Sequence, residues 1–252
     1  MIGVFDSGVG GLSVLAAIRD RIPHADLLYV ADRARAPFGT RSIGEVETIA
    51  HEITGWLIEA GADTIVVACN TASAAALHSI RSSHPALPVV GMEPAVKPAA
   101  ASTSTGTVAV YATAVTFQGA LFDATVSRFA AGVEVLTRAC PEWVDMVERG
   151  VVAGPEAERI VGDALADAVR AGADQIVLAC THFSFLTPLI ERITGISVID
   201  PAPAVATQTA RVAATTRGAA RTLLAASGDG PEFARLATAL AGFDTPVIPF
   251  PS

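Results

Sequence analysis

The chain has 252 residues, of which 51% are hydrophobic and only 17% charged, a composition that excludes an intrinsically disordered protein. Its formal net charge of −8, with no block of Lys or Arg, disfavours direct binding to nucleic acid, because a diffuse negative field repels phosphate backbones. Three cysteines without dense spacing are typical of reduced thiols in a cytoplasm rather than of a disulfide framework.

Neither a signal peptide nor a membrane span is predicted. The N-terminal letters "MIGVFDSG" contain no basic segment and no cleavage site. Residues 98–122 carry no charge, but Ser, Thr, Gly and Gln interrupt them, and their apolar part "VAVYA" is far shorter than the roughly 20 residues of a spanning helix. We therefore expect a cytoplasmic protein that does not bind membranes.

Short apolar runs alternate along the chain with longer segments of helical periodicity. Because the runs are apolar at every position, they predict strands buried on both faces, as in a parallel sheet covered by helices. The predicted strands are "IGVF", "LLYVA", "TIVVA", "PVVG", "TVAVY", "VEVL", "QIVLA" and "SVID"; the predicted helices cover 10–21, 42–59, 71–83, 118–129, 155–171 and 203–224, and "FARLATALAGF" near the C-terminus is also predicted to be helical.

Three units of this pattern occur twice in the same order. "GADTIVVAC" at 61–69 returns as "GADQIVLAC" at 172–180, an offset of 111 residues. "GVFDSGVG" and "VVGMEPA" correspond to "AVYATAVT" and "VIDPAPA" at offsets of 106 and 109. Nearly equal offsets indicate a duplication.

The fold predicted from this duplication is α/β, with two pseudo-symmetric lobes that each contain a mostly parallel sheet flanked by helices. We place the first lobe at 1–95 and the second at 96–206, with residues 207–252 packing back on the first. Ligands of open parallel sheets bind beyond the carboxyl ends of the strands. Cys69 and Cys180 both follow predicted strands, so we expect them to face each other across an active-site cleft between the lobes.

Two facing thiols suit a racemase, which removes a proton from one face of a carbon and delivers a proton to the other. One side chain waits as a thiolate and its partner as a thiol, and no cofactor is required. "CNTASAAAL" and "CTHFSFLTPL" predict that each cysteine begins a helix, a position that lowers the pKa of a thiol. His182 and Asp6 would tune the two thiols, and the neighbouring Asn, Thr and Ser donors suit a substrate carboxylate.

Three alternatives stay open at this point. A cysteine at the end of a core strand is most often a packing residue, and we predict this structural role for Cys140 in "ACPEW". Cys69, Cys180 and His182 would form a Cys₂His zinc set, although the usual ligand spacings are missing. "GVGGLS" followed by Asp32 imitates a dinucleotide-binding fingerprint, but a serine stands at its third glycine position.

The order and spacing of several motifs resemble those of the glutamate racemases, in the aspartate/glutamate racemase family, over residues 2 to about 206. These motifs are "FDSGVGGLSV", "ADRARAPFGTRS", "VVACNTASAAAL", "PVVGMEPAVKPAA", "MVERG" and "LACTHFSFL". The resemblance implies interconversion of L- and D-glutamate without cofactor or metal, supplying D-glutamate for peptidoglycan and so for cell-wall biogenesis and cell shape. Dimers are common in that family and some members inhibit DNA gyrase, so the resemblance raises a homodimer and a gyrase interaction as further expectations.

The resemblance also assigns roles to individual residues. Cys69 and Cys180 match the two acid/base thiols, and Asp6, His182 and Glu148 match assisting catalytic groups; for Glu148 the alternative is a solvated acid at a helix end. The matching substrate-binding positions are Asp6, Ser7, Phe38, Gly39, Asn70, Thr71, Thr113, Thr116, Thr181 and His182.

The sequence departs from the family pattern at four positions. Phe38 replaces a common Tyr, Phe183 and Ser184 replace a Tyr-Pro pair, and Ala179 replaces a Gly. These changes put substrate fit in question. A racemase for aspartate or another amino acid, and a non-catalytic protein that binds an acidic amino acid, therefore stay open beside the glutamate racemase.

Overall fold

The computed structural model describes residues 1–118, 120–214 and 216–251. Within these ranges the strands form a six-stranded and a four-stranded sheet, and every strand pair is parallel. The strands are β1 (Ile2–Asp6), β2 (Leu27–Ala31), β3 (Thr64–Val67), β4 (Val89–Gly91), β5 (Thr107–Ala112), β6 (Glu134–Ala139), β7 (Gln175–Ala179), β8 (Ser197–Ile199), β9 (Thr222–Ala226) and β10 (Val247–Pro249).

The strand order of the two sheets repeats. The first sheet has the order β10-β9-β2-β1-β3-β4, and the second has the order β6-β5-β7-β8. Reading β4-β3-β1-β2 beside β8-β7-β5-β6 shows one four-stranded arrangement used twice. The predicted two-lobed α/β fold is therefore confirmed. The boundaries at 95 and 206 stay a prediction, although β9 and β10 join the first sheet beside β2.

Helices cover both sheets, as the continuously apolar strands require. Every residue of β1, β2, β3 and β5 is buried. The helices are α1 (Leu12–Arg21), α2 (Ile43–Glu59), α3 (Asn70–Ser83), α4 (Val96–Ser102), α5 (Ala114–Gln118), α6 (Ala120–Phe129), α7 (Pro141–Glu148), α8 (Pro155–Arg170), α9 (Thr187–Thr194), α10 (Ala202–Val212) and α11 (Gly230–Ala241), with short 3₁₀ helices at Arg33–Arg35, Phe38–Thr40 and Thr181–Leu186.

Two predicted helices have wrong boundaries. The helix predicted at 203–224 ends at Val212, and its last residues belong to β9, because "TLLAA" pairs with β2 and so completes the buried sheet. The segment predicted as one helix at 118–129 contains the end of α5 and the whole of α6. Gly119 of this segment and Thr215 of the helix predicted at 203–224 lie outside the described residues.

The uncharged stretch at 98–122 is divided among α4, β5, α5 and the start of α6. In the described part of the chain, no helix combines the length and the apolar character needed to cross a bilayer.

Candidate active site

A cavity of about 430 Å³ lies where the two lobes meet, beyond the carboxyl ends of β1, β3 and β7. Both lobes contribute to its walls. The first lobe provides Asp6, Ser7, Phe38, Gly39, Cys69, Asn70 and Thr71, and the second provides Thr113, Cys180, Thr181 and His182. The structure thus brings these predicted site residues together around one space. The two other predicted residues, Thr116 and Glu148, contact residues of the wall from behind.

Cys69 lies two residues after the end of β3 and caps the N-terminus of α3. Its extended backbone lets Sγ accept a hydrogen bond from the Ala72 N–H at 3.5 Å. Burial raises the pKa of Cys69 well above its ordinary value, and the charge of Asp6 raises it further, while the Ala72 N–H opposes them. The helix start lowers this pKa, as expected, through the Ala72 N–H, but burial outweighs this one backbone donor and the net pKa is raised. Cys69 is held as a neutral thiol.

Cys180 has a different environment, although it follows the equivalent strand. Its Sγ lies 3.8 Å from Nδ1 of His182, and Nε2 of His182 lies 2.7 Å from Oε1 of Glu148. Burial alone would lower the pKa of His182, but the interactions with Cys180 and Glu148 outweigh it, and the pKa is raised well above its ordinary value. A buried imidazolium therefore lies beside Sγ of Cys180.

Glu148, at the end of α7, is not a freely solvated acid. Its side chain is 21% exposed, and Oε1 accepts a hydrogen bond from the Val9 N–H at 2.8 Å in addition to its contact with His182. Oε2 lies 3.5 Å from Nε of Arg33. Burial would raise the pKa of Glu148, but the hydrogen bond and charge of His182, the Val9 N–H and the charge of Arg33 together lower it. Glu148 is thus an ionised partner of His182.

The glycine-rich loop after β1 encloses the side chains of Glu148 and His182. A Cβ atom on Gly8 would lie 1.9 Å from Oε1 of Glu148, and one on Gly10 would lie 2.5 Å from Nδ1 of His182. In a dinucleotide-binding loop the pyrophosphate lies against the glycines; here the side chains of Glu148 and His182 occupy that space. Asp32, the acidic residue of that interpretation, accepts hydrogen bonds from Ser227 at 2.8 Å and Arg35 at 2.6 Å. The dinucleotide alternative is contradicted.

Asp6 is completely buried at the end of β1. Its carboxylate accepts hydrogen bonds from the N–H groups of Ser7 at 2.8 Å and Gly11 at 2.5 Å, and from the Thr181 hydroxyl at 3.1 Å. Burial raises the pKa of Asp6, while the charge of His182, a hydrogen bond with Cys69 and the N–H groups of Ser7 and Gly11 act in the opposite direction. Asp6 thus joins the first lobe to the start of the Thr181–Leu186 turn and electrostatically favours the thiol form of Cys69.

Neutral donors gather on the other side of the cavity. The hydroxyls of Thr71 and Thr113 lie 3.0 Å apart across the two lobes, and Thr116 lies 2.9 Å from Thr113. Both polar atoms of the Asn70 side chain are buried without a hydrogen-bond partner among the described residues. Because buried polar groups are normally satisfied, the Asn70 amide is suited to a polar ligand. Asn70, Thr71 and Thr113, which line the cavity, could bind a carboxylate without a cationic residue.

Phe38 and Gly39 form the edge of this polar wall. Phe38 is buried, and its ring takes the place of the hydroxyl-bearing Tyr common in the family. A Cβ atom on Gly39 would lie 3.0 Å from Cβ of Thr113, so the backbone at Gly39 packs closely on the second lobe. Neither substituted residue after the second thiol lines the cavity: Phe183 packs edge-on against Trp143 at 4.9 Å, and Ser184 donates to Asp200 at 3.0 Å.

The zinc alternative requires Cys69, Cys180 and His182 to converge on one point. Across residues 1–118, 120–214 and 216–251, no group of three His, Cys, Asp or Glu side chains has a geometry that could hold a metal ion.

Cys140, predicted to be structural, is fully buried at the start of α7, and burial raises its pKa to about 12. All three cysteines are free thiols.

Two residues near the site were not predicted from the sequence. Asp145 lines the large cavity, and Arg33 lines an adjoining cavity of about 330 Å³ together with His182 and Glu148. Arg33 lies two residues after a predicted strand and inside the motif "ADRARAPFGTRS", but neither signal assigned it a role. Its functional partners lie far away in the chain, so no local pattern could have singled it out.

Several known proteins are similar to this chain in sequence or in fold. Residues 12–209 match a family model described as Asp/Glu/hydantoin racemase. A glutamate racemase from Roseiflexus sp. (strain RS-1) is 47% identical over 213 residues, which cover 84% of this chain and 78% of that protein. A glutamate racemase isoform from Bacillus anthracis has a TM-score of 0.88 at 27% identity, covering 100% of this chain and 97% of that one. The glutamate racemase of Francisella tularensis in complex with D-glutamate has a TM-score of 0.86 at 26% identity, with the same coverage.

Proposed function

The chain belongs to the Asp/Glu/hydantoin racemase family of isomerases, and we propose that it interconverts L- and D-glutamate by a two-thiol acid/base mechanism. The observation that carries this proposal is that Cys69 and Cys180, contributed by different lobes, line the same cavity. A thiolate on one wall removes the α-proton while the thiol on the other wall delivers a proton to the opposite face. The product then has inverted configuration.

The different surroundings of the two thiols favour one starting state. His182, held by Glu148, places a positive charge 3.8 Å from Sγ of Cys180, whereas burial and Asp6 keep Cys69 as a thiol. In this state Cys180 is ready to deprotonate L-glutamate and Cys69 to reprotonate the carbanion. After this turnover Cys180 carries the α-proton of the substrate, and Cys69 has given its own proton to the product and is a thiolate. This state can deprotonate D-glutamate, so one turnover prepares the enzyme for the other enantiomer.

An acidic amino acid fits the polar wall. Asn70, Thr71 and Thr113 provide an amide and hydroxyls that can donate to a carboxylate, and the cavity has the size of a small-molecule site. Glutamate is proposed over aspartate because the relatives named above are glutamate racemases, one of them in complex with D-glutamate.

The proposed biological role is the supply of D-glutamate for peptidoglycan. A cofactor is not needed for this chemistry, because the two thiols themselves exchange the proton. The homodimer and the gyrase interaction stay predictions of the family resemblance.

The deciding experiment is incubation of the purified protein, without added pyridoxal phosphate or metal, with L-glutamate, D-glutamate, L-aspartate or L-alanine, followed by chiral chromatography. We expect both glutamate enantiomers to approach an equal mixture and the other substrates to react far more slowly. The variant with both Cys69→Ser and Cys180→Ser is the matched inactive control. If aspartate is racemised faster than glutamate, the proposed substrate is wrong and aspartate takes its place. If glutamate binds in a calorimeter but is not racemised, the result supports the non-catalytic alternative.

A further inference from the structure

Arg33 makes three contacts that link the active site to the end of the chain. Its Nε lies 3.5 Å from Oε2 of Glu148, while one terminal nitrogen lies 3.0 Å from Oε2 of Glu232 and the other donates to the Asp229 carbonyl at 3.3 Å. The side chain is only 14% exposed, so water screens these interactions weakly. One guanidinium therefore bridges α7 of the second lobe and the N-terminus of α11.

The backbone that carries Arg33 is itself held by the C-terminal segment. The Ala34 N–H donates to Oγ of Ser227 at 2.9 Å, and the same hydroxyl donates to Oδ1 of Asp32 at 2.8 Å. Asp32 also accepts a hydrogen bond from Arg35 at 2.6 Å. The residues on both sides of Arg33 are thus fixed, and its guanidinium has a defined position relative to Glu148.

Glu148 needs such a contact because its two oxygens face different partners. Oε1 accepts from both Val9 and His182, and Oε2 has Arg33 as its charged neighbour. An arginine at Oε2 limits rotation of the carboxylate about its own axis and so keeps Oε1 directed at the imidazole. The same cation balances the negative charge that Glu148 places in a partly buried site.

We propose that Arg33 is a positioning residue that holds Glu148 against His182, so that the C-terminal segment acts on the thiol of Cys180 through a continuous chain of contacts. This inference rests on the proposed racemase function for its kinetic test. Arg33 contacts Glu148 and not the cavity that holds the two thiols, so its effect on the reaction passes through the carboxylate.

The kinetic test is a double-mutant cycle on glutamate racemisation. Arg33→Met should lower kcat/KM by about tenfold, the size of effect expected when one partner of a partly buried ion pair is removed. In a Glu148→Gln background the same substitution should cause no further loss, because the partner through which it acts is gone. Arg159→Met removes an exposed arginine that is 3.8 Å from Asp163 and should leave activity unchanged.

Two further variants keep the test valid if Arg33→Met folds poorly, which thermal unfolding would reveal. Arg33→Lys keeps a positive charge, but its donors all lie on one nitrogen, whereas Nε and the two terminal nitrogens of Arg33 each reach a different acceptor; we therefore expect activity between wild type and Arg33→Met. Glu232→Gln keeps a hydrogen-bond acceptor for Arg33 and should lower kcat/KM by only about two- to threefold. Losses from Arg33 and Glu148 variants that multiply independently would overturn the inference.

A measurement that needs no turnover separates this inference from the proposed function. In a Cys69→Ser, Cys140→Ser background, the rate of alkylation of Cys180 by iodoacetamide is followed against pH by mass spectrometry. Arg33→Met should move the midpoint to higher pH by about half a unit, because the thiolate loses a cation and a firmly held imidazolium.

The variant with Arg33→Met and its parent contain the same other charged groups around this chain of contacts, which are Asp6, Asp32, Arg35, Asp145, Glu148, His182, Asp229 and Glu232. A shifted midpoint supports the positioning role even if wild type fails to racemise glutamate, a result that would overturn the proposed function alone. An unchanged midpoint in a folded variant would overturn the role of Arg33 even if wild type is active.

Discussion

Replacing Glu148 with Gln should show how strongly one carboxylate controls the second thiol. The substitution keeps the shape of the side chain and one acceptor oxygen, but it removes the charge and replaces the second acceptor with an NH₂ donor. In the structure Oε1 of Glu148 lies 2.7 Å from Nε2 of His182, and the two side chains are 21% and 4% exposed. A hydrogen bond of this kind between charged groups is therefore only partly screened by water.

The expected magnitude follows from that geometry. A charge-assisted hydrogen bond contributes about 1.5–3 kcal/mol, and about 1.4 kcal/mol corresponds to one pKa unit, so the pKa of His182 should fall by about one to two units. The sign is fixed because Glu148 raises this pKa in the native protein. His182 would then lose its proton at lower pH, so the high-pH limb of the kcat/KM profile should move to lower pH. At pH values above that limb, kcat/KM should fall by about 10- to 100-fold relative to wild type.

Two measurements check this prediction. Titration of the imidazole signals by ¹H–¹⁵N NMR follows His182 among the five histidines, with a His182→Asn variant to assign it. The pH dependence of kcat/KM reports the coupled pair of Cys180 and His182. Glu158→Gln, which changes an exposed acid paired with Arg192, is the control and should leave both curves unchanged. An unaltered pKa of His182 in Glu148→Gln would refute the assignment of Glu148 as its ionised partner.

Three other predictions concern the thiols, the glycine loop and metal. Enantiomers have equal free energy, so any variant changes kcat/KM for racemisation equally in both directions, and substrate analogues with a β-leaving group avoid this constraint. Cys69→Ser should still eliminate the leaving group from the L-analogue, and Cys180→Ser should still eliminate it from the D-analogue. Elimination from both analogues by both variants would contradict the two-sided mechanism. Gly8→Ala should abolish most activity with little loss of fold, because its Cβ would lie 1.9 Å from Glu148, and circular dichroism beside the racemisation assay checks both parts. Exhaustive EDTA treatment should leave activity unchanged, and loss that zinc restores would contradict a metal-free reaction.

The strand ends of the site could be predicted because their signals are local. Cys69 and Cys180 each close an apolar run, and the repeat places both runs at equivalent points of two sheets. Glu148 could be assigned only by family resemblance, since its contacts with Val9 and His182 join residues 139 and 34 positions apart. For Arg33 the decisive partners are 196 and 199 positions away, beyond any pattern that periodicity or spacing can detect.

The wrong helix boundary at 203–224 has a similar origin. "TLLAA" is a short apolar run, and such a run is compatible with a buried helix or a buried strand. Tertiary pairing decides between them, because Leu224 takes its place opposite Tyr29 of β2. The raised pKa of Cys69 also depends on tertiary structure: the sequence indicates the helix start, but it does not indicate how completely the lobes bury the thiol.

The position of β9 has a consequence for synthesis on the ribosome. Residues 222–226 pair with β2, which was made almost two hundred residues earlier, and β10 then pairs with β9. A nascent chain that has already produced both thiols still lacks the outer strands of its first sheet, together with Ser227, Asp229 and Glu232. Chains released early would therefore contain every cysteine and histidine of the site and yet lack the partners of Asp32 and Arg33. The contacts that hold Asp32 and Arg33 would thus form only after residues 227–232 have been made.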